Sequence, residues 1–209
     1  MIPSDGLVFL IDDDPSVRKG VSRLLRSAGF KSEAFESASA FLARAQHPGP
    51  ACVIVDVRMP GLNGIDLQKT LARGGREEQL VFITAHGDIA MCAQAMKAGA
   101  VDFLVKPFHG DELLQCVERA LIRSVEQRRR SIEKDNAQRR LNLLTPRELE
   151  VMQLVITGML NKQIAGELGT AEKTVKVHRG RMMRKLNVAS VAELVRLAEK
   201  ASLVPMVNA

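Results

Sequence analysis

Four short apolar runs, each closed by a polar side chain, constrain this chain more than any other feature. Residues 7–11 run into Asp12-Asp13, 52–55 into Asp56, 80–83 into Thr84, and 101–105 into Lys106. Runs this short and this continuous suit parallel strands buried on both faces. In an open parallel sheet, ligands bind in the crevice beyond the carboxyl ends of the strands. The four polar positions are therefore expected to meet at one site.

The segments between the runs carry helix signals. Asp14-Pro15 reads as an N-cap followed by proline at the first helical position, and Val17, Val21, Leu24 and Leu25 recur at helical spacing up to Gly29. A weaker strand over residues 31–35 leads to a short helix around 39–45. The loop from Met59 to Gly64 opens a helix over 65–73, and Asp88 is read as the cap of a helix over 89–98. After the last strand, a helix begins near Asp111. The Lys106-Pro107 bond is expected to be cis, in a tight turn that aims the ammonium into the crevice, because an X-Pro bond adopts cis at a cost of only about 0.5–1 kcal/mol. Five strand-helix alternations imply an α/β, doubly wound parallel sheet with helices on both faces.

Charge divides the chain. Residues 1–120 hold 13 Lys and Arg against 15 Asp and Glu, a net −2, whereas residues 121–209 hold 17 against 9, a net +8. Only the C-terminal part is built to meet a polyanion. Its basic charge is densest from Lys173 to Lys185, where six cationic side chains occur without an acid. A solvated surface helix accounts for scattered mixed charges but not for this one-sign run. Residues 121–141 are strongly charged, free of proline and glycine, and carry sparse apolar residues at Leu121, Val125 and Ile132. A helical extension and a solvated, frayed linker both fit that pattern.

Beyond residue 142 the periodicity is helical throughout. Thr145-Pro146-Arg147-Glu148 reads as a capping box with proline at N1, and Ser190 to Glu193 as a second capping box. Asn161 is expected to cap the helix over 162–168, which ends at Gly169, and another helix runs from about Glu172 to Leu186. Helix, Gly-containing turn, helix is the helix-turn-helix arrangement. The organisation is thus 1–120, a charged connection over 121–141, and an all-α unit over 142–209.

Asp12, Asp13 and Asp56 together make a patch of carboxylates that is costly unless a cation sits among them. Oxygen ligands suit Mg²⁺ or Mn²⁺ rather than zinc. With Lys106 as a second cation and the Thr84 hydroxyl nearby, the site is arranged to stabilise a phosphoryl group in transfer, and Asp56, at the end of the central strand, is the natural nucleophile. An Asp after a strand is commonly a helix cap, which suffices for Asp14 and Asp88 but not for the joint placement of the other groups. His86 is read as a solvated loop histidine, His47 and His109 carry no signal, and Cys52, Cys92 and Cys116 are read as small core residues of a reducing compartment. No apolar stretch is long enough for a membrane span and no charged-then-apolar signal region opens the chain, so a cytoplasmic location is expected.

Ile11-Asp12-Asp13-Asp14, Val55 to Gly61, Ile83-Thr84-Ala85 and Val105-Lys106-Pro107-Phe108 together resemble the receiver domain of bacterial two-component response regulators. The resemblance implies a flavodoxin-like sheet of order 2-1-3-4-5 that takes a phosphoryl group from a sensor histidine kinase onto Asp56. It also implies that Asp13, Asp56 and the Arg58 backbone carbonyl hold Mg²⁺ with Asp12 helping through water, that Thr84 and Lys106 contact the phosphoryl group, and that Phe103 is the switch aromatic. Leu144 to Glu148, Asn161 to Ala165 and Thr174 to Arg179 resemble the LuxR-type DNA-binding domain. The whole chain is similar to FixJ/NarL-class transcription regulators, nearer the FixJ branch. That implies promoter DNA, RNA polymerase and a second copy as partners. Lys176 and Val177 are implied to face bases, and Thr174, His178, Arg179 and Lys185 to grip the DNA backbone, with Lys162 also among the contacts. Ala171 stands where the family has a Ser cap, so Thr170 is expected to cap instead. Gly180 stands where NarL-like members carry a basic reader, and Arg181 is the candidate substitute. Two rivals use the same residues: an Mg-dependent aspartyl-phosphate phosphohydrolase, and a constitutive DNA-binding protein with a degenerate receiver.

Overall fold

A computed structural model describes residues 6–85 and 89–203. His86 and the expected cap Asp88 lie outside the described residues. The chain divides into two compact units, Met1–Arg128 and Arg129–Ala209. The first holds β1 (Leu7–Ile11), α1 (Pro15–Ser27), β2 (Lys31–Phe35), α2 (Ala38–Ala43), β3 (Ala51–Asp56), α3 (Gly64–Arg73), β4 (Gln79–Thr84), α4 (Ile89–Lys97) and β5 (Asp102–Val105), and α5 (Gly110–Leu141) begins in it. The strands are parallel in the order β2-β1-β3-β4-β5. Residues 121–141 are helical, as part of α5.

The apolar runs explain the layering. In β1, β3 and β4 alternate side chains point to opposite faces. Phe9, Ile11, Val53, Val55 and Phe82 pack with Phe41, Leu67 and Leu71 on one side. Val8, Leu10, Cys52, Ile54 and Val81 pack with Val21, Leu25, Leu113 and Val117 on the other. Burying each such side chain contributes about 1.5–3 kcal/mol. Asp14 caps α1, its carboxylate accepting from Ser16 N–H at 2.7 Å, and Ser124 Oγ accepts from Ala51 N–H at 3.0 Å, tying α5 to the start of β3. The Lys106–Pro107 peptide is cis. One core feature has no counterpart in the apolar pattern. Arg44 and Arg76 both reach the buried carboxylate of Glu78, at 2.8 and 2.6 Å, and the Arg44 guanidinium lies 3.7 Å from the Phe9 ring centroid. The triad is thus desolvated, and removing the shared Glu78 carboxylate would leave two guanidiniums without their common partner.

The second unit contains the end of α5, α6 (Pro146–Val155), α7 (Asn161–Glu167), α8 (Glu172–Lys185) and α9 (Val191–Lys200). Val151, Met152, Ile164, Val175, Met182 and Leu194 meet in one apolar core. Two caps differ from expectation. Leu160, not Asn161, is the N-cap of α7, with its N–H donating to Gln163 Oε1 at 2.7 Å, so Asn161 is the first helical residue and its side chain is available elsewhere. Ala171, not Thr170, is the N-cap of α8 and supplies no side-chain bond. The helix start there is held by backbone bonds from Thr174 and Val175 N–H to the Ala171 carbonyl. The Thr145/Glu148 capping box is complete. At the second box Ser190 accepts from Glu193 N–H, but Glu193 reaches back to Ala189 N–H rather than to Ser190.

Glu148 does more than cap. It is buried, and Lys185 Nζ donates to its Oε2 at 2.6 Å across the unit. That ammonium, more than the N–H of Thr145, holds the carboxyl below the usual glutamate range. Because the folded pKa is depressed, the contribution is present above the unfolded value of about 4.3 and is lost as pH falls through the folded one. Glu148→Gln should therefore destabilise this unit by on the order of 1 kcal/mol at neutral pH. The gap from the native chain should close in acid. Thermal melts of both chains at the two pH values check this.

Candidate functional site

The sheet order sets β1 and β3 side by side with β4 next, so the loops after them open at one edge. Asp56 pairs with Ile83 in register, and Thr84, buried at the end of β4, pairs with Val105. Lys106 N–H then donates to the Thr84 carbonyl at 2.7 Å, which starts the Lys106 side chain from the rim of the crevice. Its Nζ lies 2.7 Å from both Asp12 Oδ2 and Asp56 Oδ2. Burial works against that ammonium, but the hydrogen bonds and charges of the two carboxylates outweigh it and keep its pKa above the ordinary lysine value. Burial pushes the fully enclosed Asp12 carboxyl up, despite bonds from Lys106 and from Asp14 N–H at 2.9 Å. Asp13 is exposed on the same rim, and carboxylate oxygens of Asp12, Asp13 and Asp56 lie within 4.8 Å of one another. A donor set of oxygens only, from three carboxylates, fits a hard divalent cation such as Mg²⁺ or Mn²⁺.

Arg58 and Phe103 are the other residues expected to serve this site. Arg58 N–H donates to Asp56 Oδ1 at 3.0 Å, while its side chain is exposed. Phe103 lies opposite Phe82, with ring centroids 6.1 Å apart, and is half-buried.

In the second unit α7 and α8 meet through buried Ile164 and Val175, joined by a turn whose Gly169 has φ +59°, the left-handed region that favours glycine. At about 1.5 Å per residue α8 is roughly 21 Å long, enough to lie in a major groove about 12 Å wide. Thr174, Lys176, Val177 and Arg181 are exposed along it, Lys162 is exposed on α7, and Gly180 is open to solvent. Lys176 rests 3.2 Å from Glu172 on an exposed surface. His178 and Arg179 are half-buried, and Arg179 donates to Asn161 Oδ1 at 2.9 Å. Lys185 is partly exposed but already held by Glu148.

Residues 8–118 match the response regulator receiver domain family, and residues 142–198 match the bacterial regulatory proteins of the luxR family. The chain is a two-component response regulator. It is 45% identical over 193 residues to Nodulation protein W of Bradyrhizobium diazoefficiens, covering 92% of this chain and 85% of that one. Among solved structures, response regulator StyR is 51% identical with a TM-score of 0.77, covering 93% of this chain and 98% of that one. Full-length FixJ from B. japonicum is 38% identical with a TM-score of 0.56, covering 95% and 98%. The family is one of transcriptional regulators rather than classical enzymes. Among the described residues, no helix is long and apolar enough to cross a membrane.

Three residues help position this response regulator's sites through contacts that the motifs did not state. Arg18, one turn into α1, donates to the Asp12 carbonyl at 2.7 Å and so braces the loop that carries Asp12 and Asp13. Its distance from the Asp14 cap was the available signal. Asn161 steadies Arg179 from another helix. Gly64 closes the loop after β3, donating to the Val57 carbonyl at 3.0 Å, and a Cβ there would sit 2.6 Å from the Asp56 carbonyl oxygen. Gly64→Ala must shift that backbone, at a cost on the order of 1 kcal/mol. We expect a lower melting temperature and slower phosphoryl uptake from acetyl phosphate; a variant matching the native chain in both would contradict the close approach.

Proposed function

We propose that Asp56 accepts a phosphoryl group from a sensor histidine kinase, and that the phosphorylated chain dimerises and binds promoter DNA to regulate, most simply to activate, transcription. The observation that carries this reading is Lys106 Nζ bridging Asp12 and Asp56, with Asp13 beside them. In the transfer the P–N bond of a phosphohistidine breaks as a P–O bond to Asp56 forms. Asp13, Asp56 and the Arg58 carbonyl, with Asp12 through water, would hold Mg²⁺ or Mn²⁺, which when bound offsets the negative charge of the phosphoryl oxygens. Lys106 exchanges a carboxylate contact for a phosphoryl oxygen, and the Thr84 hydroxyl serves a second. The added charge, about −1.5 to −2, draws Thr84 inward and lets Phe103 follow.

The surface that changes is that of α4 and β5, where Ile89, Met96 and Val105 are exposed apolar side chains suited to meeting a second copy. A dimer brings two α8 helices to half-sites one helical turn apart. There Lys176 and Val177 read base edges, while Lys162, Thr174, His178, Arg179, Arg181 and Lys185 contact phosphates. The protein would act in the cytoplasm with RNA polymerase as a further partner. Incubation with acetyl phosphate separates this reading from both rivals. A regulator holds a stoichiometric acyl phosphate and binds DNA more tightly. A phosphohydrolase turns the compound over continuously, and a degenerate receiver takes up nothing.

A further inference from the structure

Ile122, Val125 and Ile132 are exposed at 46%, 38% and 55% on α5, a helix otherwise dominated by charge over this stretch. They belong to none of the three apolar clusters. Val117 and Leu121 of the same helix are buried with the sheet, and Ala137 and Leu141 are buried with α6 to α9, whereas the three exposed residues share a separate stripe. Their spacing of three and then seven residues is that of heptad a and d positions, with Ile122 at a and Val125 and Ile132 at d. Arg129 and Asn136 fill the next two a positions, and both are exposed.

We propose that this stripe pairs with the same stripe of a second copy as a short parallel coiled coil. Charge complementarity names the occupant. In a parallel pair each g residue faces the e residue five positions on in the partner helix, which sets Arg128 against Glu133 and Asp135 against Arg140, opposite signs in both cases. A lone Asn at an a position, here Asn136, favours an in-register dimer. Three of these groups have partners within the chain. Arg128 donates to the Pro48 carbonyl, Arg140 to that of Leu186, and Glu133 lies 3.2 Å from Lys200. A guanidinium has five N–H donors and can serve both, and the exposed Glu133–Lys200 pair is of the weak surface kind that exchanges readily. About two heptads bury far less than the roughly 1,200–2,000 Å² of a stable interface, so the seam cannot hold two chains alone. It forms when paired receivers raise its effective concentration, and it then commits both α5 helices to run in one direction. It rests on the reading that two phosphorylated copies act together.

Full-length Arg129→Cys, Asn136→Cys and, on the far side of the helix, Gln127→Cys test this, each with and without beryllofluoride and Mg²⁺ under mild oxidation. We expect Arg129→Cys and Asn136→Cys to form disulfide dimers about tenfold faster with beryllofluoride, and Gln127→Cys to stay at the level of the native chain. Cross-linking at only one of the two positions would indicate an antiparallel pair and overturn the parallel seam. Cross-linking at neither, in a chain that still dimerises by sedimentation, overturns the seam and leaves the proposed function standing. A native chain that stays monomeric overturns both. As a second readout, Val125→Asp with Ile132→Asp should weaken the beryllofluoride dimer about tenfold or more, with uptake of phosphoryl label unchanged.

Discussion

Asp56→Asn is expected to take up no label from acetyl phosphate under conditions that label the native chain stoichiometrically. The substitution keeps the shape of the side chain and the bonds it accepts from Arg58 N–H and Lys106, but the amide is no nucleophile. The loss should be complete rather than partial, because the other two carboxylates are poorly placed to substitute. Asp12 is enclosed and engaged by Lys106 and Asp14 N–H, and Asp13 stands on the exposed rim. Mass spectrometry of the labelled protein decides it: phosphoryl transfer to the Asn variant would assign the acceptor elsewhere.

The second large effect is expected on α8, where two cations should fail differently. Lys176 is exposed and lightly held by Glu172, so it is free to reach a base edge, and Lys176→Ala should reduce discrimination between specific and random DNA by about 1–3 kcal/mol. Arg179 is anchored by Asn161 in an orientation that suits a fixed phosphate contact. Arg179→Ala should weaken binding to all sequences alike and lower the slope of affinity against salt by about one. Asn161→Ala should reproduce part of the Arg179 effect without touching a phosphate itself. Titrations of operator and random duplex at several salt concentrations separate these outcomes; equal losses on both duplexes for Lys176→Ala would remove it from base reading.

The sheet and the acidic crevice were legible in the sequence because both are local. A run such as Val53-Ile54-Val55 states its own burial, and the polar residue at its end states where the strand stops. Strand order, by contrast, came from the family resemblance, since alternation of strands and helices is compatible with more than one doubly wound order. What escaped were contacts between residues far apart in the chain. Arg44 and Glu78 look like ordinary surface charges in sequence, yet they meet against Phe9 and Phe41. Lys185 read as one more phosphate contact in a basic run, and only the packing of α8 near the start of α6 brings it to Glu148. The caps of α7 and α8 differ from the expected ones for a related reason. A side-chain oxygen near a helix start commonly caps it, but here Gln163 and the backbone of Ala171 satisfy the free groups instead. Asn161, not engaged as a cap, holds Arg179.

In the proposed function, charge at Asp56 controls how two copies meet on DNA. Moving such an equilibrium from about 1:99 to 99:1 needs near 5.5 kcal/mol of differential interaction, within reach of a new dianionic group beside Lys106 and Thr84 together with a dimer contact. Sedimentation velocity of the full chain with and without beryllofluoride and Mg²⁺, with operator affinity measured on the same samples, tests it most directly. Such control requires a monomer that binds weakly and, with the analogue, a dimer that binds tightly. A chain that remains monomeric at saturating analogue, with its operator affinity unchanged, would contradict it.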